Sequence, residues 1–182
     1  KAEIQYQTNE YYPKVAIHDT LNGSVVLLSE PDDLSEAQYL RPRLWSKDEK
    51  ELFLDYVHDT EGFPVGLARY NRETSALDRV EAVDQLSLTQ LIFDDQGYVY
   101  GIQSDTVDLF GTRRATLIHR VHLKEGRSST LTLQQSKLSW LWSVDPSGRF
   151  LAYGYDGKDG TLDLWVLDTT TGKETAVTTN LV

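Results

Sequence analysis

The stretch LWSVDPSGRFLAYGYDGKDGTLDLWVLDTTTGKETAV, residues 141–177, decides the fold. Apolar and polar side chains alternate on both sides of turn-rich gaps, which is the two-residue period of half-buried strands rather than the 3.6-residue period of a helix. Read outward from its turns, the stretch contains two hairpins in succession. The same pair occurs twice upstream, with RLWSKDEKELFLDY (43–56) and LIFDDQGYVYGI (91–102) as first hairpins beside WLWSVDPSGRFLAYGY (140–155). Each is followed by a second hairpin, respectively VGLARYNRETSALDRV (65–80), ATLIHRVHLKEGRSSTLTL (115–133) and DLWVLDTTTGKETAV (163–177). Trp45, Phe93 and Trp142 take the same place in the three first hairpins, so the repeat is 48 to 49 residues long. Near the start, VAIHDTLNGSVVLLS (15–29) is a second hairpin without a first one, because Asp19, Thr20 and Gly23 match Asp168, Thr169 and Gly172.

Units of four strands at this spacing predict an all-β chain and a β-propeller, in which small sheets pack face to face. The chain divides into a half blade at 11–30 and blades at 39–83, 86–135 and 138–180, about three and a half blades in a single propeller segment spanning 1–182. The glycines ending Asn-Gly (22–23), Asp-Gln-Gly (95–97), Glu-Gly (125–126), Pro-Ser-Gly (146–148) and Thr-Gly (171–172) supply the positive φ that tight hairpins require. DDLSEAQYL (32–40) reads as a connection with at most one helical turn. Because a wheel needs at least four blades, this arc should expose apolar faces at both ends, to be covered first of all by the rest of a longer chain, or else by a second copy or an added segment. If Trp45 and Trp142 are equivalent anchors between blades, replacing either with Ala should cost about 3–5 kcal/mol.

Composition bounds the function. The 182 residues, 40% of them hydrophobic, are enough to bury a core. The absence of Cys excludes disulfides, thiolate chemistry and Cys-ligated zinc. A net charge of −10 with scattered Lys and Arg argues against a nucleic-acid partner. No run of apolar residues is long enough to span a membrane, and the start, KAEIQYQTNEYYPK, lacks both Met and a signal core, as expected of a mature or excised piece.

In the last blade, WSVDPSGRFLAYGYDGKDGTLDLWVLDTTTGKET (142–175) resembles the WD40-like, PD40-type repeat of TolB-like propellers. The family form is Trp-Ser-Pro-Asp-Gly-(Lys/Arg)-x-Leu-Ala-Tyr, then Asp-Leu-Trp and Asp-x-x-Thr-Gly. Trp142, Ser143, Gly148, Arg149, Leu151, Ala152 and Tyr153 match it, as do Asp163, Leu164, Trp165, Asp168, Thr171 and Gly172. The turn VDPSG is longer than the family's, the first full blade has WSKDEKEL (45–52) without the Gly, and the middle blade keeps only DDQGYVYGI (94–102). These positions, Trp45, Phe93, Trp142 and Trp165 among them, carry structure and no chemistry. The resemblance implies a non-catalytic binding or scaffold module for a protein or peptide, periplasmic or extracellular, such as an envelope sensor domain, with no cofactor. The alternative it implies, ranked second, is the N-terminal propeller fragment of a prolyl-oligopeptidase-class serine peptidase whose catalytic domain lies outside this chain.

Candidate reagents give no catalytic constellation. His119 and His122 are three apart, which puts them on opposite faces of one strand. His18 and His58 each precede Asp-Thr at a strand end, where imidazoles cap turns. Serines in NGSVV (22–26) and PSGRF (146–150) lack a nucleophile elbow. DGKDGTLD (156–163) lacks the ligand spacing and closing Glu of a calcium loop, so no metal is expected. Charge is more informative. Loops between blades and between middle strands collect Glu30, Asp32, Asp33, Glu36, Asp59, Glu61, Asp105, Asp108, Asp156 and Asp159 against Lys158, Arg113 and Arg114. The hairpin turns on the other side, with Lys47, Lys50, Arg72, Lys124, Arg127 and Lys173, are close to neutral. One rim is therefore expected to be acidic and to attract a basic protein or peptide.

Overall fold

A computed structural model describes residues 2–9, 12–19, 21–28, 39–57, 64–86, 88–103, 106–107, 113–114, 117–134, 138–156 and 162–181. All the larger elements are antiparallel meanders. Sheet 1 contains β1 (Ala2–Asn9), β2 (Tyr12–Asp19) and β3 (Val25–Leu27). Sheet 2 contains β4 (Tyr39–Trp45), β5 (Glu51–Val57), β6 (Pro64–Asn71) and β7 (Leu77–Arg79), followed by a one-turn helix α1 (Glu81–Asp84) whose Val83 is wholly buried. Sheet 3 is built from β8 (Thr89–Phe93), β9 (Tyr98–Ile102), β12 (Leu117–His122) and β13 (Ser128–Thr132), interrupted by a small ladder of β10 (Thr106–Val107) with β11 (Arg113–Arg114). Sheet 4 contains β14 (Leu138–Val144), β15 (Phe150–Asp156), β16 (Leu162–Asp168) and β17 (Lys173–Leu181).

The chain forms two compact units, residues 1–84 and 85–182, each a pair of stacked sheets. In the first, Val15 and Ile17 of sheet 1 share a core with Leu52, Leu54, Tyr56, Ala68 and Tyr70 of sheet 2. In the second, Tyr100, Ile102 and Ile118 of sheet 3 share one with Leu138, Leu141, Leu151, Tyr153 and Leu167 of sheet 4. In strands, successive side chains face opposite ways, so within each unit the two sheets each turn one face to the shared core.

Sheet 1 has one strand more than the half blade at 11–30 anticipates. Strand β1 precedes it and pairs with β2 over its whole length, Ala2 opposite Asp19 and Asn9 opposite Tyr12. The expected turn at 32–40 falls outside the described residues up to 38, while Tyr39 and Leu40 already belong to β4.

Two kinds of turn set the repeat. In the second hairpins, the N–H of the fifth residue donates 2.8 Å to the carbonyl of the first, in Asp19/Gly23, His122/Gly126 and Asp168/Gly172. The fifth residue is left-handed in each, as is Ser75 in the corresponding turn that starts at Asn71. The first residue's side chain accepts from backbone N–H groups inside the turn. Asp19 takes Leu21 (2.9 Å), Asn71 takes Glu73 (2.9 Å) and Thr74 (3.0 Å), His122 takes Glu125 (3.2 Å), and Asp168 takes Thr170 (2.9 Å). Asp, Asn and His occupy one structural position because each offers an acceptor at the right reach. In the first hairpins, Ser46, Asp94 and Asp145 open the turn, and the residue three further on, Glu49, Gly97 or Gly148, is left-handed.

That turn register corrects the anchor alignment. The residues just before the turns are Trp45, Phe93 and Val144, not Trp142. Trp142 sits two positions earlier, in a bulge between Leu141 and Ser143, and is 46% exposed, whereas Trp45 packs on the core of its unit. The matching Trp-Ser dipeptides (45–46 and 142–143) misled because VDPSG adds two residues to the stretch between Trp142 and the left-handed Gly148. Trp165 lies on β16 and is packed against the second core.

Polar groups clamp sheets 3 and 4 together. Gln90, at φ 55° in the irregular part of β8, inserts its amide as a substitute peptide: its Oε1 accepts from Leu141 N–H at 2.8 Å, and its Nε2 donates to the Ser139 carbonyl at 3.0 Å. At the turns, the fully buried Tyr100 donates its hydroxyl to Asp94 Oδ2 at 3.0 Å and lies 3.3 Å from the Gly148 carbonyl oxygen. Burial and the Asp94 charge hold the Tyr100 phenol far above its ordinary range. Gly148 has φ +74°, and a Cβ there would come within 2.3 Å of Asp94 Oδ2 and 2.7 Å of Tyr100 Oη. Gly172, at φ +71°, faces open space.

Two stability outcomes follow. Gly172→Ala should cost about 1–2 kcal/mol from the left-handed conformation alone. Gly148→Ala should cost at least about 1–3 kcal/mol more, because the clamp must open. In urea titrations Trp45→Ala should cost about 3 kcal/mol and Trp142→Ala less than about half of that. Equal costs within either pair would contradict the turn register or the clamp.

Candidate binding face

Each sheet has a turn end and a loop end. Arg72 N–H donates to the Lys50 carbonyl, Leu123 N–H to that of Gly97 and Thr169 N–H to that of Arg149, all at 2.8–2.9 Å, so the two turns of each four-stranded sheet are tied together. Their charges are paired as well. Lys50 Nζ reaches Glu73 (2.6 Å), Arg149 reaches Asp168 (3.1 Å), Arg72 crosses from sheet 2 to Asp19 of sheet 1 (3.0 Å), and Arg127 is paired with Glu125. Hydrogen bonds also settle the turn carboxylates. Ser147 Oγ and then Phe150 N–H lower the Asp145 pKa below the ordinary value, Ser46 Oγ and then Lys50 N–H do the same for Asp48, and Leu21 N–H leads for Asp19. The turn end is thus locked by its own hydrogen bonds and ion pairs.

The loop end carries the acidic candidates. Strand register places its anchor points together within each unit: Tyr39 faces Val57 and Val57 faces Pro64 in sheet 2, Ile102 faces Thr89 and Ile118 in sheet 3, and Asp156 faces Leu162 in sheet 4. Asp32, Asp33 and Glu36, Asp59 and Glu61, Asp105, Asp108 and Asp159 lie outside the described residues, as does His58. Asp156 is the last residue of β15.

The histidines within the described residues have structural surroundings. Strand β12 turns His119 and His122 to opposite faces, with His119 opposite Gly101 and His122 opposite Tyr98. His119 is buried, and His122 caps its turn and meets the Tyr98 ring edge-on at 4.7 Å between centroids. His18 lies on β2 between Glu3 and Val25.

An ionic cluster on β4 and β5 went unread in the sequence. Asp55, wholly buried, lies opposite Arg41 and is held by Arg41 Nη2 at 2.8 Å and by Arg43 Nε at 3.0 Å. Burial pushes the Asp55 carboxyl up, against the pull of the Arg43 and Arg41 guanidiniums. Arg43 is the extra residue of a bulge between Pro42 and Leu44, and that irregularity brings a second cation onto the same carboxylate. The two arginines stand two apart in YLRPRLW, and the alternation alone does not say that a buried Asp faces them.

Solved structures share this arrangement of sheets. TolB from Acinetobacter baumannii matches 98% of the chain at 17% identity and a TM-score of 0.60, the match covering 41% of that protein. Oligogalacturonate lyase in complex with manganese matches 92% at 19% identity and 0.62, over 46% of its own length. A prolyl endopeptidase matches 93% at 11% identity and 0.59, over 26% of its length. No protein-family model matches the chain, and no curated protein sequence does. At these identities the likeness concerns the fold. The chain is a partial β-propeller, and its fold is TolB-like. It spans less than half the length of these neighbours.

Because the folded-state pKa values of Asp145, Asp48 and Asp19 are depressed below 3.8, their contribution to stability is present above about pH 4 and lost as pH falls through the folded values. Urea midpoints should therefore decline from pH 4 to pH 2, with a shallower decline in Asp145→Asn and Asp48→Asn. An unchanged slope in both variants would contradict the turn assignments.

Proposed function

We propose that the chain is a non-catalytic binding or scaffold module that presents the loop ends of its sheets to a basic protein or peptide, in the periplasm or outside the cell. The observation that carries this reading is the contrast between the two ends of the sheets. The turn ends are cross-tied and charge-paired. By sequence, the connections at the opposite end carry the ten carboxylates from Glu30 to Asp159 named above, with Glu81 and Asp84 beside them, against Arg113, Arg114, Lys137 and Lys158. A rim of one sign raises the local concentration of opposite charge and speeds encounter without requiring a deep pocket. The TolB-like fold supports this reading, and no cofactor is part of it.

A second reading has an observation of its own. The chain also matches the prolyl endopeptidase over 93% of its residues, which supports the propeller portion of a serine peptidase of that class. The two readings separate on whether the reading frame continues into an α/β domain with a Gly-x-Ser-x-Gly elbow.

Reversing Asp32, Asp33, Asp59, Asp105 and Asp156 to Lys should slow association with the partner by about tenfold or more and flatten its salt dependence. The melting midpoint should move little, since exposed single charges contribute about 0–1 kcal/mol each. Stopped-flow association of a pulled-down partner provides the measurement, and indifference to both reversal and salt would remove the rim from recognition.

A further inference from the structure

We infer that Asn22 is a self-modifying site: its side-chain amide is lost to the backbone nitrogen of Gly23 at a rate that the turn between β2 and β3 controls, and the turn survives only one of the two products. The chain has four Asn, namely Asn9, Asn22, Asn71 and Asn180, and only Asn22 precedes a Gly. A Gly in second place leaves its nitrogen unhindered, because it has no side chain. Here the pair lies in the open. Asn22 and Gly23 are exposed, neighbouring Leu21 is 84% exposed, and nothing stands within 4 Å of where a Gly23 Cβ would be. The corresponding turns end in Thr74-Ser75, Glu125-Gly126 and Thr171-Gly172, which lack the side-chain amide.

Local geometry both prepares and restrains the reaction. Asn22 Oδ1 accepts the Ser24 N–H at 2.8 Å, which curls the side chain over the Gly23 peptide. That N–H draws electrons from the amide carbon and stands where negative charge develops when the carbon is attacked. The attacking nitrogen is held back, because Gly23 N–H donates to the Asp19 carbonyl at 2.8 Å. Asp19 is itself steadied: its N–H donates to the Ser24 carbonyl at 2.9 Å, its Oδ1 accepts from Leu21 N–H at 2.9 Å, and its Oδ2 is reached by Arg72 at 3.0 Å. Beyond the turn, β3 adds only the pairs His18 with Val25, Ile17 with Val26 and Ala16 with Leu27, and its three residues are exposed. So short an outer strand opens at low cost, and each opening releases Gly23.

The step balances with hydroxide and water alone. Hydroxide takes the proton of the released Gly23 amide, the nitrogen's electron pair forms a bond to Asn22 Cγ, and the bond from Cγ to Nδ2 breaks as ammonia leaves with a proton drawn from water. A cyclic imide results. Water then cleaves one of the two bonds from the imide nitrogen to its carbonyl carbons. Cleavage at Cγ leaves aspartate, whose carboxylate still accepts the Ser24 N–H. Cleavage at the main-chain carbonyl leaves isoaspartate, which routes the backbone through the former side chain and inserts a methylene. The hydrogen bond from Gly23 to Asp19 closes across that insertion, so this product does not keep the turn.

Peptide mapping of the whole chain during incubation in mildly alkaline buffer should show the mass gain of deamidation at Asn22, with Asn9, Asn71 and Asn180 unchanged. A free peptide of residues 19–25 should convert about five- to tenfold faster, the factor that one turn hydrogen bond represents. Asp19→Ala removes the acceptor of Leu21 and Arg72 and should speed conversion in the folded chain at least about twofold. Arg72→Ala repeats that test should Asp19→Ala fail to fold by circular dichroism. Asn22→Gln should abolish the modification. In aged protein, hydrogen exchange at residues 25–27 should quicken in isoaspartyl molecules, while Asn22→Asp keeps the parent's protection. No conversion of Asn22 in the folded chain, a folded rate equal to the peptide's, no acceleration in the loosened variants, or lost protection in Asn22→Asp would each overturn the inference.

Discussion

A four-stranded antiparallel sheet with apolar side chains on both faces must be covered twice, and a single chain can do this for many sheets only by stacking them face to face. The remaining features of this molecule follow from that constraint. On β5, Leu52, Leu54 and Tyr56 form the face shared with sheet 1, and the alternate residues Phe53, Asp55 and Val57 are buried as well, Asp55 in its pairing with Arg41 and Arg43. The outer strands β7 and β13 are mostly exposed.

Stacking requires that successive sheets present the same faces at the same height, and the turns provide that register. Four second hairpins use an acceptor side chain at the first position and a left-handed residue at the fifth. The chemistry varies, with Asp, Asn or His at the first position and Gly or Ser at the fifth, while the backbone geometry is kept. At the first hairpins the turn of one sheet becomes part of the clamp on the next, through Asp94, Tyr100 and Gly148. Packing and turn chemistry are therefore one device.

Much of this was legible from the residues. The alternation, the five glycines and the spacing of the hairpins identified strands, turns and the repeat, because they reflect local backbone requirements. Where local similarity and backbone register disagreed, reading failed. Trp142 resembles Trp45 in its neighbours and differs in its place, since two extra residues precede the left-handed Gly148. Strand β1 was missed because KAEIQYQTN is followed by no Gly or Asn-Gly turn. The Arg41, Arg43 and Asp55 cluster depends on a bulge and on cross-strand register, neither of which is written in the spacing of charges. The acidic loops were legible only as composition, which gives the sign of a rim but not its shape.

Stacking face to face is tested most directly by methyl nuclear Overhauser effects in solution. The account predicts cross-peaks from Val15 and Ile17 of sheet 1 to Leu52 and Leu54 of sheet 2, and from Ile102 and Ile118 of sheet 3 to Leu141, Leu151 and Leu167 of sheet 4. Methyl cross-peaks confined within each sheet, with none linking sheet 1 to sheet 2 or sheet 3 to sheet 4, would contradict it.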